Sequence, residues 1–166
     1  MGEILGEAAV KGKKYVGQTS SYGAEARGSA TRSDVVISES WIDYPEVTEA
    51  DILACMSQNV YNQYKEKINP GQAVIFIDSQ MVKPDSSLSA RHITVPANEK
   101  ALQELGNRMV ANMVLLGVVT QFSGLAGEEA MLQALANRVP ASFLELNRKA
   151  LIMGFELGKE FKKKSI

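Results

Sequence analysis

The chain has one cysteine, Cys55, and one histidine, His92, among its 166 residues. A single cysteine excludes an intramolecular disulfide, and an iron–sulfur cluster normally needs about four thiolates. One histidine leaves little support for a zinc site, a Cys–His nucleophile pair or a Ser–His–Asp triad. Cys55 lies in the apolar run 52–56, which favours a packed thiol. His92 is expected on a strand surface and not as a ligand.

A strong net charge and a long apolar run are also missing. The formal net charge of −1 provides no field for nucleic acid or anionic lipid. The longest apolar stretch, residues 109–119, is interrupted by Asn112 and falls well short of the ~20 residues of a spanning helix, so it predicts a buried helix. No P-loop motif occurs. Met1 is followed by glycine and glutamate, which is not a signal-peptide pattern, and the cytoplasm is the expected location.

The chain alternates between strand-like and helix-like segments, which predicts a single α/β domain over residues 1–166. Segments 51–56 and 73–77 are apolar enough for interior strands of a parallel sheet. Ser142 and Glu145 have the spacing of a capping box for the last helix. That helix is apolar on two sides, and its second side packs either within the domain or against another subunit. The predicted strands are Lys14–Thr19, Thr31–Ser38, Asp51–Met56, Ala73–Ile77 and Ile93–Pro96. The predicted helices are Gly2–Ala9, one after Ser57, Glu99–Leu105, Arg108–Phe122, and two that begin near Glu128 and Ser142.

The tract QTSSYGAEARGSATRSDVVIS, residues 18–38, is the most informative part of the chain. It joins two predicted strands through a loop of small residues that also contains Glu25 and Arg27. Arg27 is permanently charged and has five donors in a fixed fork, and Gly28 and Ser29 leave main-chain amides accessible. A phosphate or carboxylate can approach guanidinium and amides together in such a loop. The plain alternative is that Arg27 pairs with Glu25 or faces water.

Other candidate positions follow the predicted strands and helices. Ser57 and Asp78–Ser79 come after strands, and ligands of open α/β sheets bind beyond the carboxyl ends of strands. Asn107 precedes a predicted helix, so it either caps that helix or borders an anion site at its N-terminus. Asp78 and Asp85 are either paired carboxylates or, as the composition of loops favours, ordinary loop acids.

Several tracts resemble, in chain order, the gamma subunit of 2-oxoacid:acceptor oxidoreductases. The segment SYGAEARGS, residues 21–29, is similar to the family's SYGPEARGG and departs from it at Ala24 and Ser29. The following strand ends in S-D-V-V-I-S, as in the family. The remaining matched tracts are Asp43–Val47, Leu105–Arg108, Val139–Pro140 and Phe143–Asn147.

One departure concerns the start of the chain. The family begins with a strand and a turn of the G-x-G-G-Q-G kind that leads into a helix, whereas residues 1–10 already look like that helix. The resemblance therefore implies a three-layer α/β/α fold with a mostly parallel sheet and a helical C-terminal third. The family's first strand and glycine-rich turn are expected to be missing, because the sequence is a fragment, because its start was assigned late, or because this member lacks the turn.

The resemblance implies a subunit that is not active alone. Members of the family assemble with larger alpha and beta subunits, often with a ferredoxin-like delta subunit. The complex decarboxylates a 2-oxoacid oxidatively, forms an acyl-CoA and passes electrons to ferredoxin or a related acceptor. Thiamine diphosphate and the iron–sulfur clusters are expected on the partner subunits only. The E-A-R-G tract followed by S-D-V-V-I-S resembles the 2-oxoglutarate branch, which would form succinyl-CoA.

The gamma subunits of this family are thought to contribute to the coenzyme A site and to assembly. The matched positions that the resemblance assigns to coenzyme A are Arg27, Gly28, Ser29 and Asn107, together with Tyr22. No catalytic residue and no metal ligand are expected on this chain. Two other interpretations stay open: a free-standing α/β nucleotide-binding module, and a purely structural assembly subunit.

Overall fold

The computed structural model describes residues 1–22 and 31–164, with Tyr22 described by its backbone alone. Each predicted strand and helix is present, and β2 has the predicted bounds. A short 3-10 turn, Arg108–Val110, precedes α4. The strands are β1 (Tyr15–Tyr22), β2 (Thr31–Ser38), β3 (Ile52–Cys55), β4 (Val74–Asp78) and β5 (Arg91–Val95). The helices are α1 (Gly2–Lys11), α2 (Gln58–Tyr64), α3 (Ala97–Leu105), α4 (Ala111–Ser123), α5 (Glu128–Arg138) and α6 (Ala141–Lys163).

The parallel sheet has the order β3-β4-β5, with β4 in the centre. Side chains alternate across a strand, so consecutive apolar residues of a central strand enter two different cores. Phe76 packs in the core that contains α1 and α3–α6. Ile75 and Ile77 pack on the opposite face with Tyr61 of α2 and Cys55. Helices therefore cover both faces of the sheet, and the predicted three-layer α/β fold with a helical C-terminal part is confirmed.

Strands β1 and β2 form a separate antiparallel pair. Their register runs from Tyr15 opposite Ser38 to Tyr22 opposite Thr31. Helix α1 packs on this pair and also on α5. Arg138 of α5 donates to α1 at two points, over 2.8 Å to Glu7 and over 3.0 Å to Glu3. The hairpin is thus connected to the helical part of the domain through α1.

Helices α4 and α6 meet through glycines. A Cβ atom on Gly117 would lie 2.5 Å from the carbonyl oxygen of Leu151 and 2.8 Å from the Cα of Gly154, so only glycine permits this approach. The face of α6 that α4 covers is fully buried. Its residues are Ala150, Leu151, Gly154, Phe155 and Gly158.

The second apolar side of α6, with Leu144, Leu151 and Phe155, packs within the domain, whereas other apolar residues of the helix are only partly covered. Phe143 is 59% exposed and Ile152 is 38% exposed, whereas Met153 and Leu157 are half-buried against the core. Helix α6 therefore packs mainly within its own domain. Among the described residues, no helix is both long enough and apolar enough to cross a bilayer.

The glycine contact predicts a measurable loss of stability in the Gly154→Ala variant. The added methyl group would meet the backbone of α4, and overpacking of this kind costs about 1–3 kcal/mol. The free energy of unfolding from urea titration of the full chain is the measurement. Arg148→Ala is the control, because Arg148 is an exposed residue of the same helix, and its free energy of unfolding should change by less than about 0.5 kcal/mol. Equal effects of the two substitutions would contradict the packing argument.

Candidate functional site

A cleft of about 440 Å³ runs along one face of the β1–β2 hairpin. Residues two apart on a strand share a face, so Thr19 and Ser21 of β1 lie beside Asp34 and Arg32 of β2, which are their cross-strand partners. The other wall comes from the segment after β2 and from the end of α2. Its residues are Tyr44, Pro45, Glu46 and Tyr64.

Arg32 holds the walls of this cleft together. Its Nε and Nη2 donate to the two carboxylate oxygens of Asp34 over 2.6 and 2.5 Å, and Nη2 also donates to the Val47 carbonyl over 3.4 Å. The guanidinium carbon lies 4.9 Å from the centre of the Tyr64 ring, within the range of a cation–π contact. The hydrogen bonds to Asp34 are the main cause that raises the pKa of Arg32 above its ordinary value. Arg32 thus connects the hairpin, the following segment and α2.

The charge of the described cleft residues is slightly negative. Arg32 and Asp34 neutralise each other, which leaves the carboxylate of Glu46. A hydrogen bond to that carboxylate is the main cause that raises the pKa of the Tyr44 hydroxyl. An anionic ligand in this cleft would therefore need positive groups beyond the described lining.

The carboxyl edge of the parallel sheet contains a fully buried carboxylate, Asp78. Its Oδ1 accepts from the amides of Gln80 over 3.0 Å and Met81 over 3.1 Å, and its Oδ2 accepts from the amide of Asn98 over 2.8 Å. Asn98 lies in the first turn of α3, where amides have no partner within the helix. Asp78 therefore fastens the end of β4 to the start of α3. Ser57 precedes α2 without a side-chain capping bond.

Asp85 belongs to a different cluster, so the two aspartates do not form a carboxylate pair. It accepts from Lys65 and from Ser87, and these bonds lower the pKa of Asp85. The backbone amide of Asp85 donates to the Tyr61 hydroxyl over 2.9 Å, and that hydroxyl lies 2.8 Å from Nε2 of His92. Because the Tyr61 hydroxyl accepts a hydrogen bond from the Asp85 amide, its own proton is available for a hydrogen bond to the imidazole of His92. His92 lies half-buried on β5 as a partner of Tyr61, and no group of three metal-ligating side chains occurs among the described residues.

Asn107 caps the turn that leads into α4. Its Oδ1 accepts from the amide of Met109 over 2.9 Å, after the left-handed Gly106 that ends α3. Asn107 is therefore a capping residue through its Oδ1 atom, as one of the two alternatives expected. The Nδ2 donor of Asn107 takes no part in this capping bond. Cys55 is 1% exposed, and burial raises the pKa of its thiol to about 11. The expected packed thiol is what the structure contains.

The residues assigned to coenzyme A are only partly described. Arg27, Gly28 and Ser29 lie outside the described residues, and the backbone of Tyr22 pairs with Thr31 at the end of the hairpin. Asn107 is not among the residues that line the hairpin cleft. Sequence reasoning did not single out Arg32, although its position two residues before Asp34 on a predicted strand is a signal for a pair on one face.

The sequence matches a family model over residues 1–157, that of pyruvate ferredoxin/flavodoxin oxidoreductase. One relative is the 2-oxoglutarate synthase subunit KorC of Methanocaldococcus jannaschii. It is 39% identical over 162 residues, which cover 96% of this chain and 86% of the relative. The similarity therefore extends over nearly the whole of both proteins.

Solved structures with the same fold exist. The gamma subunit of a keto/oxoacid ferredoxin oxidoreductase from Geobacter sulfurreducens is 34% identical, with a TM-score of 0.81 over 96% of this chain and 89% of that one. A 2-oxoglutarate:ferredoxin oxidoreductase from Magnetococcus marinus, solved with 2-oxoglutarate, coenzyme A and succinyl-CoA bound, also has a TM-score of 0.81. It is 22% identical and supports the fold alone. The match covers 96% of this chain and 28% of the Magnetococcus chain, so the fold there is part of a longer polypeptide.

The hydrogen bonds of Asp78 predict that it stabilises the fold. Asp78→Ala would leave three backbone amides without their acceptor. Each unsatisfied buried donor costs about 1–3 kcal/mol, so we expect a total loss of about 3 kcal/mol. Urea unfolding of the full chain measures this. The exposed Glu49→Ala is the control and should change the free energy of unfolding by less than about 0.5 kcal/mol. An Asp78→Ala variant as stable as the control would show that these bonds contribute little.

Proposed function

The chain belongs to the pyruvate ferredoxin/flavodoxin oxidoreductase family, and from this premise we propose that its complex oxidises 2-oxoglutarate. It is a gamma subunit of a 2-oxoacid:ferredoxin oxidoreductase. The proposed reaction converts 2-oxoglutarate, coenzyme A and two oxidised ferredoxins into succinyl-CoA, carbon dioxide, two reduced ferredoxins and a proton. The observation that carries the choice of oxoacid is the 39% identity to a 2-oxoglutarate synthase subunit over nearly the full length of both chains.

We place the redox centres on other subunits. Cys55 is the only thiol in the sequence, and it is buried with a raised pKa. The described residues contain no cluster of three side chains that could hold a metal ion. These observations support a subunit that depends on alpha and beta partners for thiamine diphosphate and electron transfer, with a ferredoxin-like delta subunit as a further partner. A cytoplasmic location is part of the same proposal.

Within that complex, we assign part of the coenzyme A site to this chain. Arg27 would pair with phosphate oxygens, and the amides of Gly28 and Ser29 would complete the cradle, with Tyr22 nearby. The described hairpin supports this arrangement because two paired strands hold both ends of the segment. Asn107 would contribute its Nδ2 donor, which its capping bond does not use.

This division of labour gives the isolated chain a limited role. It would bind coenzyme A weakly alone, because the rest of the site is on other subunits. A free-standing nucleotide-binding module would instead bind its ligand without partners, and a purely structural subunit would leave coenzyme A binding unchanged when Arg27 is replaced.

The proposal predicts a specific kinetic defect in the complex that contains Arg27→Ala. Loss of a charge-assisted bond to phosphate, worth roughly 1.5–3 kcal/mol, should raise KM for coenzyme A by about 10- to 100-fold. The 2-oxoglutarate-dependent reduction of the enzyme before coenzyme A is added should be unchanged. Steady-state ferredoxin or viologen reduction and rapid-mixing spectroscopy measure the two quantities.

Arg148→Ala is the matched control, since Arg148 is an exposed arginine on α6 outside the proposed site. It should leave KM for coenzyme A unchanged. Wild-type KM in the Arg27→Ala complex would reject the assigned residue. Preferred turnover of pyruvate by the wild-type complex would reject the assigned oxoacid, and a chain that purifies without any larger subunit would reject the whole proposal.

A further inference from the structure

The segment between β2 and β3, residues 39–51, exposes aromatic side chains that the site described above does not fully use. Trp41 and Tyr44 are each 73% exposed. Neither lies on a helix or a strand. Exposed tryptophan and tyrosine so close together are typical of protein interfaces, in which these residues supply much of the binding energy.

This segment, called here the acidic segment, is held in place at both ends. Lys14 pairs with Glu39 at its start. At its end, the amide of Ala50 donates to the Lys67 carbonyl over 3.1 Å, and the Ala50 carbonyl accepts from the amide of Asn69 over 2.9 Å. Asn69 also donates to the carboxylate of Asp51 over 3.0 Å.

The middle of the acidic segment is fastened to the hairpin as well. Pro45 and Ile42 pack so closely on Gly17 of β1 that a Cβ atom there would clash with Pro45. Trp41 makes an edge-to-face contact with Tyr15, with ring centres 6.0 Å apart. Arg32 donates to the Val47 carbonyl. The aromatic side chains are therefore presented on a held backbone, which reduces the entropy lost when a partner binds.

The charge of the segment indicates what covers it. From residue 33 to residue 64 the sequence has no lysine, arginine or histidine. The acidic segment itself contains five carboxylates, at Glu39, Asp43, Glu46, Glu49 and Asp51, and of these Glu39 has an ion pair with Lys14. Such a surface repels nucleic acid and anionic lipid and is complementary to a basic protein surface.

We propose that the acidic segment is a docking surface for a lysine- and arginine-rich face of a larger subunit of the same complex, with Trp41 and Tyr44 as its apolar anchors. This inference rests on the proposed function, because that function supplies the partner.

The test uses the complete complex, produced by co-expression of this chain with its partner subunits. Trp41→Ala and Glu46→Lys should each weaken association of the chain with the larger subunits by about tenfold or more. Native mass spectrometry over a dilution series measures this. The matched controls are Phe143→Ala, which removes another exposed aromatic, and Glu145→Lys, which reverses another exposed acid. Both lie on α6 and should change association by less than about twofold.

Zero-length carbodiimide cross-linking of the wild-type complex provides an independent measurement. Carboxylates of the acidic segment should be joined to lysines of a larger subunit, and Trp41 should be protected from oxidative labelling in the complex relative to the free chain. Circular dichroism of each free variant checks that it is folded, and the wild-type cross-links decide the matter if a variant is not.

The outcomes separate the two proposals. If the wild-type chain assembles but Trp41→Ala and Glu46→Lys associate as tightly as the controls, or if the cross-links join the segment to a second copy of this chain, the docking surface is wrong and the proposed function stands. If the wild-type chain does not assemble with larger subunits at all, both the proposed function and the docking surface are wrong.

Discussion

Helices α4 and α6 approach until the backbone of Gly154 contacts that of Gly117, and the remaining layers are arranged around this contact. Helix α4 is buried from Ala111 to Thr120 except at Asn112. It lies between α6 on one side and, on the other, the face of the parallel sheet that contains Phe76. A larger residue at either glycine would push α6 outward and open the core. The close approach of α4 to α6 therefore sets the thickness of the helical layer and the position of the sheet that packs against it.

The buried polar residues Asp78 and Thr120 both bond to backbone groups of the fold. Asp78 is satisfied by three backbone amides, and Thr120 donates its hydroxyl to the Leu116 carbonyl within α4. Buried polar groups with complete sets of partners are typical of structural positions. The features that suggest binding lie instead on the hairpin and on the acidic segment, at the periphery of the domain. A stable core with recognition at its edge suits a subunit whose chemistry depends on other chains.

Much of the fold could be predicted from the sequence because its signals are local. The apolar run Ala73–Ile77 and the β-rich run Thr31–Ser38 both correspond to observed strands. The alternation of side chains and the residue composition that favour a strand can be recognised within a few residues. The start of α6 was predicted less well. Ser142 and Glu145 have the spacing of a capping box, but the helix already begins at Ala141 with Pro140 as its N-cap, so Ser142 lies inside the helix.

The site could be predicted less completely, since its contacts join distant parts of the chain. The matched tract around Arg27 was visible in the sequence, yet it lies outside the described residues and its role stays a prediction. The clamp made by Arg32 depends on Val47 and Tyr64, and nothing in the local sequence reports that these groups meet.

The same clamp gives a physical reason for treating the hairpin and the acidic segment as one unit. Arg32 bonds to Asp34 on its own strand and to Val47 in the acidic segment. A subunit docked on the acidic segment would therefore contact residues that are bonded to β2. Strand β2 pairs with β1 as far as Thr31 and Tyr22, at the end of the hairpin. The proposed coenzyme A segment follows immediately from those paired residues. Docking of a partner on the acidic segment and binding of coenzyme A at the neighbouring tract can thus be coupled through a single arginine.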